Sequence, residues 1–384
     1  MLESCPAYIA GAAESSLGEV TDQNELAMVA SAALEALGEA GMNVRDVDGV
    51  FVNYLGEEGS VQLAEYLGIE PRYSDSTDLG GAAFEAHVHH AIAAIASGMC
   101  EVALLGYASR QRSRRNRRRA TTEERFGVPL RRQLEAPYGL PSPIGHYALI
   151  AARHMHKFGT TSEQLAEVAV AARSWARLNP KAWSKAPLAV EDVIASPVIA
   201  EPLHRYDCCL ITDGGGAVII TTGARARDAA KKPIRILGAA ESHTHWNISQ
   251  MPDLTVSAGA KSGPEAFAIA GVRPSDVDVL EPYDSFTITV LMALEDLGFC
   301  SKGEGGAFVS DGHLAPGGGL PAMTSGGGLS YNHPGALGLL LLVEAVRQLR
   351  GEAGARQVMD ARVAVAHGVG GVFSTAGTVV LGRE

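Results

Sequence analysis

The stretch GGGLSYNHPGALG, residues 326–338, sets the imidazole of His333 between glycines and a proline, with the phenol of Tyr331 two residues before it. An imidazole takes up and returns a proton near neutral pH, and a neighbouring hydroxyl can share that work. Glycine and proline also build ordinary turns, in which a histidine is solvated or structural. Three further stretches bear on the choice: TDLGGAAFEA (77–86), EPYDSFT (281–287) and AHGVGGVFST (366–375). Each falls at the end of a strand or the start of a helix, where α/β proteins hold their sites. They contribute Gly80 and Gly81, Tyr283 and Asp284, and His367.

The chain that must position these residues alternates strand and helix. An apolar opening stretch from residue 7 leads into a helical pattern at 24–41, with Leu26, Val29, Ala33 and Leu37 near helical spacing, and then a strand at 47–54. A helix at 85–98 and a buried strand at 101–109 repeat the pattern, which implies a sheet covered on both faces. Residues 110–205 break the rhythm with RQRSRRNRRRATTEER, a Pro-rich stretch and helices around 146–178; they read as an insertion. CCLITDGGGAVIITT (208–222) reads as a strand pair around a turn at Gly214, Gly215 and Gly216, with no GK[ST] to make it a phosphate loop. From KKPIRILG (231–238) the order repeats: helix 262–271, strand 277–283, helices 286–298 and 336–351, and two closing strands. The units 1–230 and 231–384 read as one βαβ-rich unit used twice.

The chain has 384 residues, enough for two ordinary domains, and its 46% hydrophobic and 20% charged residues belong to a folded, water-soluble protein. A net charge of −11 excludes a general nucleic-acid binder, although the arginines at 110–119 could form a local basic patch. The five cysteines, Cys5, Cys100, Cys208, Cys209 and Cys300, show neither a CxxC pair nor disulfide-like spacing, so a reducing, cytoplasmic setting and no zinc site are expected. No stretch approaches the roughly 18 apolar residues of a membrane span, and the N-terminus lacks the basic start of a secretion signal. The histidines that come in close pairs (His89 and His90, His154 and His156, His243 and His245) lack a completing Cys or carboxylate pattern and read as structural.

Together the four stretches resemble the thiolase superfamily over essentially the whole chain, in the branch of sterol-carrier-type thiolases and lipid-transfer proteins. EPYDSF stands where thiolases carry Asn-Glu-Ala-Phe or His-Asp-Cys-Phe. SYNHPGALG resembles their Gly-His-Pro loop, HGVGG their C-terminal glycine loop, and TDLGGAAFEA the start of the helix that bears the nucleophilic cysteine. The resemblance implies a five-layer α-β-α-β-α fold of two similar halves with an inserted loop domain. It also implies an acyl-CoA thioester as substrate, with coenzyme A entering only as part of it and no covalently bound cofactor.

The departures from the family set the expected chemistry. A thiolase needs one cysteine as acyl acceptor and another as acid/base. Here Gly80 and Gly81 occupy the nucleophile position, His367 stands at the second cysteine position, and no cysteine lies in the four stretches. This resembles the cysteine-less acyl-CoA aldolases of steroid side-chain degradation, which implies retro-aldol cleavage of a β-hydroxyacyl-CoA carrying a steroid or aromatic acyl group.

On that resemblance Tyr283 or Tyr331 acts as base on the β-hydroxyl and acid on the enolate. His333 donates to the thioester oxygen or orients a tyrosine, His367 is a second polar group nearby, and Asp284 orients its neighbours or caps the following helix. Gly326, Gly327 and Gly328 let backbone approach the thioester and could supply an oxyanion hole. Arginines of the run, with Arg118 and Arg119 foremost, either meet the CoA phosphates, line a partner surface, or are simply solvated. A thiolytic acyltransferase and a non-catalytic acyl-CoA- or lipid-binding subunit are the alternatives. The family further implies a homodimer and a separate small zinc-ribbon/OB-fold partner.

Overall fold

A computed structural model describes residues 5–53, 55–114, 133–140 and 142–383. Its centre is a nine-stranded sheet in the order β3-β2-β4-β7-β1-β8-β11-β10-β9. The first strands are β1 (Ala7–Glu14), β2 (Gly49–Val52), β3 (Tyr73–Asp75) and β4 (Val102–Arg110). A two-stranded ribbon of β5 (Val198–Ala200) and β6 (Leu203–His204) precedes β7 (Asp213–Thr222). The rest are β8 (Ile234–His243), β9 (Val279–Pro282), β10 (Val363–Gly370) and β11 (Thr375–Gly382). The helices that matter here are α1 (Glu25–Ala40), α2 (Gly59–Leu67), α3 (Ala83–Ala96), α4 (Pro143–Phe158), α5 (Ser162–Leu178), α6 (Gly259–Ala270), α7 (Thr287–Asp296) and α8 (Gly338–Arg350).

The strands are apolar on both faces because both faces are covered. In β4, Ala103, Leu105 and Tyr107 join one core while Val102, Leu104 and Ala108 join another, as the two-residue alternation of a strand requires. Helix α1, opened by Asn24 accepting the Ala27 N–H at 2.8 Å, covers the outer face over β1, β4 and β7. Helices α3 and α8 are buried on nearly every side and lie between the two half-sheets, and α6 covers β8 and β11 from outside. A helix apolar all round belongs in an interior layer. The layers therefore run helix, sheet, helix pair, sheet, helix.

Both half-sheets use the same pairing. β2 runs parallel to β4, β4 antiparallel to β7, and β7 antiparallel to β1; β9, β10, β11 and β8 repeat those senses in turn. The halves meet where Tyr8 and Ile9 pair with Arg235 and Ile234. Beyond that meeting point side chains take over the open edge of β1. Arg350 donates to the Ala10 carbonyl (2.8 Å), Arg347 to the Ala12 carbonyl (2.7 Å), and the Ala12 N–H donates to Glu39 (3.1 Å). Glu39 in turn pairs with Lys231, Arg347 and Arg350.

One local expectation is corrected. Gly214, Gly215 and Gly216 make no hairpin; they lie inside the single strand β7 between β4 and β1. A Cβ at Gly215 would come within 2.0 Å of the Tyr107 carbonyl oxygen, so close strand approach, not turning, explains the glycine there.

Candidate active site

The end of β9 opens into Tyr283-Asp284-Ser285-Phe286 before α7. Tyr283 is fixed at both ends: its N–H donates to the His367 carbonyl (2.8 Å) on β10, and its hydroxyl is hydrogen-bonded to Nε2 of His333 at 3.0 Å. The two rings meet edge to face, 5.7 Å between centroids at 87°. His333 is half-buried, and desolvation pulls its imidazole down to about 4, so it is neutral at neutral pH. Thr212 holds its backbone on both sides, donating to the His333 carbonyl (3.2 Å) and accepting its N–H (2.8 Å).

Gly81 at the entry to α3 forms the floor under Tyr283. A Cβ there would stand 2.2 Å from the Tyr283 ring and 2.5 Å from the Val369 carbonyl oxygen, so no side chain fits, let alone a nucleophilic one. Gly80, at φ 61°, packs less tightly: a Cβ there would stand 3.0 Å from the Gly370 Cα and 3.1 Å from the Gly371 nitrogen.

Asp284 is completely buried and organises the glycine loop, accepting from the N–H of Gly328 (2.6 Å) and of Leu329 (3.0 Å). Burial pushes its carboxyl up to about 7, with those two N–H groups pulling the other way. Gly326 and Gly327 turn the loop with φ of 101° and 58°. Their N–H groups donate to the Met323 carbonyl (2.7 Å) and to Ser325 Oγ (3.2 Å). The amides of Gly326 and Gly327 are therefore engaged within the loop, and that of Gly328 by Asp284.

Two expected residues stand apart from the Tyr283–His333 pair. The Tyr331 hydroxyl donates to Glu14 on β1, and burial together with that carboxylate raises its phenol well above the ordinary range. His367 is buried with its imidazole turned toward the start of α6, Nδ1 on Thr378 Oγ1 at 2.9 Å. Strand alternation turns the next residue, Gly368, to the opposite face, where a Cβ would meet the Glu85 carboxyl at 2.1 Å. The position facing the central helix is thus Gly368, and the His367 side chain lies on the other face of β10, away from the Tyr283–His333 pair. Arg118 and Arg119 lie outside the described residues. Of their run, Arg110 donates to the Val20 carbonyl (3.0 Å), while Arg112 and Arg114 pair with Glu19 and Glu25.

The structure adds Glu85, from the stretch TDLGGAAFEA. It is fully buried in α3, neither carboxyl oxygen has a hydrogen-bond partner, and burial pushes it up to about 8. A single acid inside AAFEAHVHHAIAAIA was the available signal. Cys209 also comes close to the site, its N–H donating to the Ser285 carbonyl at 3.0 Å. Burial and the neighbouring Asp284 hold its thiol far above its usual range, so no thiolate forms at neutral pH. Among the described residues no three His, Cys, Asp or Glu are grouped to hold a metal ion, and no helix is long and apolar enough to cross a membrane.

Layers, twin half-sheets and a glycine-floored site between their strand ends define a protein of thiolase type without the thiolase nucleophile. Comparison with known proteins agrees: the description "Thiolase C-terminal domain-like" matches residues 240–383. The 17-hydroxy-3-oxo-4-pregnene-20-carboxyl-CoA lyase of Mycobacterium tuberculosis is 35% identical over 362 residues, covering 90% of this chain and 92% of its own. An acetyl-CoA acetyltransferase of Methanothermobacter thermautotrophicus is 32% identical over 384 residues, covering 98% and 99%. The solved Ltp2-ChsH2(DUF35) aldolase superposes with a TM-score of 0.89 at 33% identity over 98% of each chain. The chain belongs to the thiolase superfamily.

Proposed function

We propose that this protein cleaves the Cα–Cβ bond of a β-hydroxyacyl-CoA by a retro-aldol reaction, with a steroid or aromatic group on the β-carbon. The observation that carries the reading is the Tyr283–His333 hydrogen bond over a floor that admits no nucleophile. The lyase and aldolase relatives support it by name.

The β-hydroxyl gives its proton to the Tyr283 oxygen as Tyr283 passes its own to Nε2 of His333, which is neutral and able to accept it. As the β-carbon becomes a carbonyl, the bond to the α-carbon breaks and its electron pair enters the thioester enolate. The Gly80 N–H is engaged by Asp78 Oδ1 at 3.2 Å, so the amide of Gly81, at the entry to α3, is the donor assigned to the developing oxyanion. The proton then returns from His333 through Tyr283 to the α-carbon, releasing a shortened acyl-CoA. Tyr331 and Asp284 act as positioning residues, Tyr331 by tying the loop to Glu14.

Coenzyme A enters as part of the substrate, and no covalent cofactor is needed. The halves 1–230 and 231–384 each bring one side of the site, with 110–205 as the inserted part. A cytoplasmic homodimer that binds a small zinc-ribbon/OB-fold protein fits the reading, since the solved aldolase is a complex with a DUF35 chain. The thiolytic alternative draws on the acetyltransferase relative and would need a cysteine such as Cys209. The test is to incubate the protein, alone and with a DUF35-type partner, with β-hydroxyacyl-CoAs and to follow products by mass spectrometry. Equimolar ketone and shortened acyl-CoA are expected; CoA-dependent acyl transfer without aldol cleavage would overturn the reading.

A further inference from the structure

A cleft of about 400 Å³ opens between α5 and the segment before β7, lined among others by Arg173, Ala186, Asp192, Pro197, Arg205 and Tyr206. Arg173 is only 4% exposed. Its Nε donates to Ser330 Oγ (2.8 Å) and its Nη1 to the Ala186 carbonyl (2.9 Å). The Arg173 guanidinium lies 5.8 Å from the Tyr206 ring centre, and the Arg205 guanidinium lies 5.9 Å from the same ring. Neither arginine has a carboxylate within 4.0 Å among the described residues. Asp192, the one acid lining the cleft, already accepts the Ala189 N–H at 2.9 Å.

A guanidinium this buried is expensive to leave without a counter-charge, and a planar donor fork suits an oxyanion. The buried Arg173 and the exposed Arg205 line one cleft against a single acid, which leaves it with an excess of positive charge. Ser330 adds a link to the catalytic loop, since it stands three residues before His333.

The geometry points to an anion site in this cleft that takes a phosphate group, with Arg173 and Arg205 as its ligands and Arg173–Ser330 as its connection to the catalytic loop. The phosphate belongs either to the nucleotide end of the CoA substrate or to a separate phosphorylated molecule. The inference does not depend on the aldol reading, because binding is measured without turnover.

The test is calorimetric titration of the full chain with pyrophosphate and with adenosine 3′,5′-bisphosphate, repeated on Arg205→Met and Arg173→Met. Circular dichroism checks folding, and the exposed Arg205→Met serves if Arg173→Met fails to fold. Saturable binding that weakens at least about tenfold, or about 1.4 kcal/mol, in Arg205→Met is expected. If CoA abolishes pyrophosphate binding and Arg205→Met raises the KM for acyl-CoA without changing kcat, the phosphate is the substrate's own. If pyrophosphate binds CoA-saturated protein undiminished, the ligand is a separate phosphate ester. No binding by either probe at 10-millimolar order, or binding unchanged in the folded variants, overturns the proposal.

Discussion

The Tyr283 hydroxyl and Nε2 of His333 lie 3.0 Å apart although fifty residues separate them in the chain. Neither ring could hold that position alone: Tyr283 is pinned by the His367 carbonyl and the Gly81 floor, His333 by Thr212. Removing the hydroxyl while keeping the ring isolates the proton-transfer role. Tyr283→Phe is expected to lower kcat by about 10²–10⁴ with little change in melting temperature. His333→Gln should fall in the same range. Wild-type turnover in Tyr283→Phe would remove the tyrosine from the mechanism.

Alkylation separates the aldol and thiolytic readings. Burial pushes the thiols of Cys100, Cys208 and Cys300 up to about 12, and Cys209 higher still. Iodoacetamide at neutral pH should leave activity intact, and Cys209→Ser should turn over at a rate near wild type. Stoichiometric inactivation traced to Cys209 by peptide mapping would restore a thiolase.

Asp284 tests the loop as a unit. Asp284→Ala leaves the N–H groups of Gly328 and Leu329 without their acceptor, which should cost about 1–3 kcal/mol in denaturant unfolding and lower kcat together with it. Asp284→Asn retains one acceptor oxygen and should recover part of both losses.

Glu85 makes the protein weaker toward alkaline pH. Its carboxyl sits near 8 when folded against 4.5 when exposed, so the folded chain holds the extra proton between those values. Stability therefore falls as pH rises from 4.5 to 8, by on the order of 4–5 kcal/mol in all. Glu85→Gln should flatten this slope, unfolding at higher urea than wild type at pH 8 and at similar urea near pH 5. An unchanged slope would show that the carboxyl is already ionised in the fold.

Glu39 acts in the opposite sense. Burial raises it, but Lys231, Arg347 and the Ala12 N–H overcome that and hold it at about 2. Its contribution is complete above pH 4.5 and is lost as pH falls toward 2. Glu39→Gln should cost stability at pH 7 and nearly nothing near pH 2, as seen in parallel acid-unfolding curves.

Much of the fold was legible because both-face burial writes itself as apolar runs in β1, β4 and β7, and helix ends such as Asn24 and Gly41 are local signals. The pairing of Tyr283 with His333 was legible only through family resemblance. What stayed hidden depends on phase and distance. Whether His367 or Gly368 faces the central helix turns on strand register, where a shift of one residue reverses the side chain. Tyr331 was drawn to Glu14 by a contact across 317 residues, which no local pattern encodes. The amides of Gly326, Gly327 and Gly328 looked available in sequence because their acceptors, Met323, Ser325 and Asp284, are set by the loop's fold.

The guanidinium groups of Arg347 and Arg350 on the edge of β1 have a consequence during synthesis. An uncapped strand edge invites any passing strand, from this chain or another, to add to it. While β8 is still unmade, Glu39 can already meet the Ala12 N–H, but the carbonyls of Ala10 and Ala12 wait for arginines more than three hundred residues downstream. The nascent N-terminal half therefore emerges with a sticky edge that only the finished chain covers. Ribosome-released fragments ending before α8 should aggregate, and the full-length chain, with Arg347 and Arg350 in place, should not.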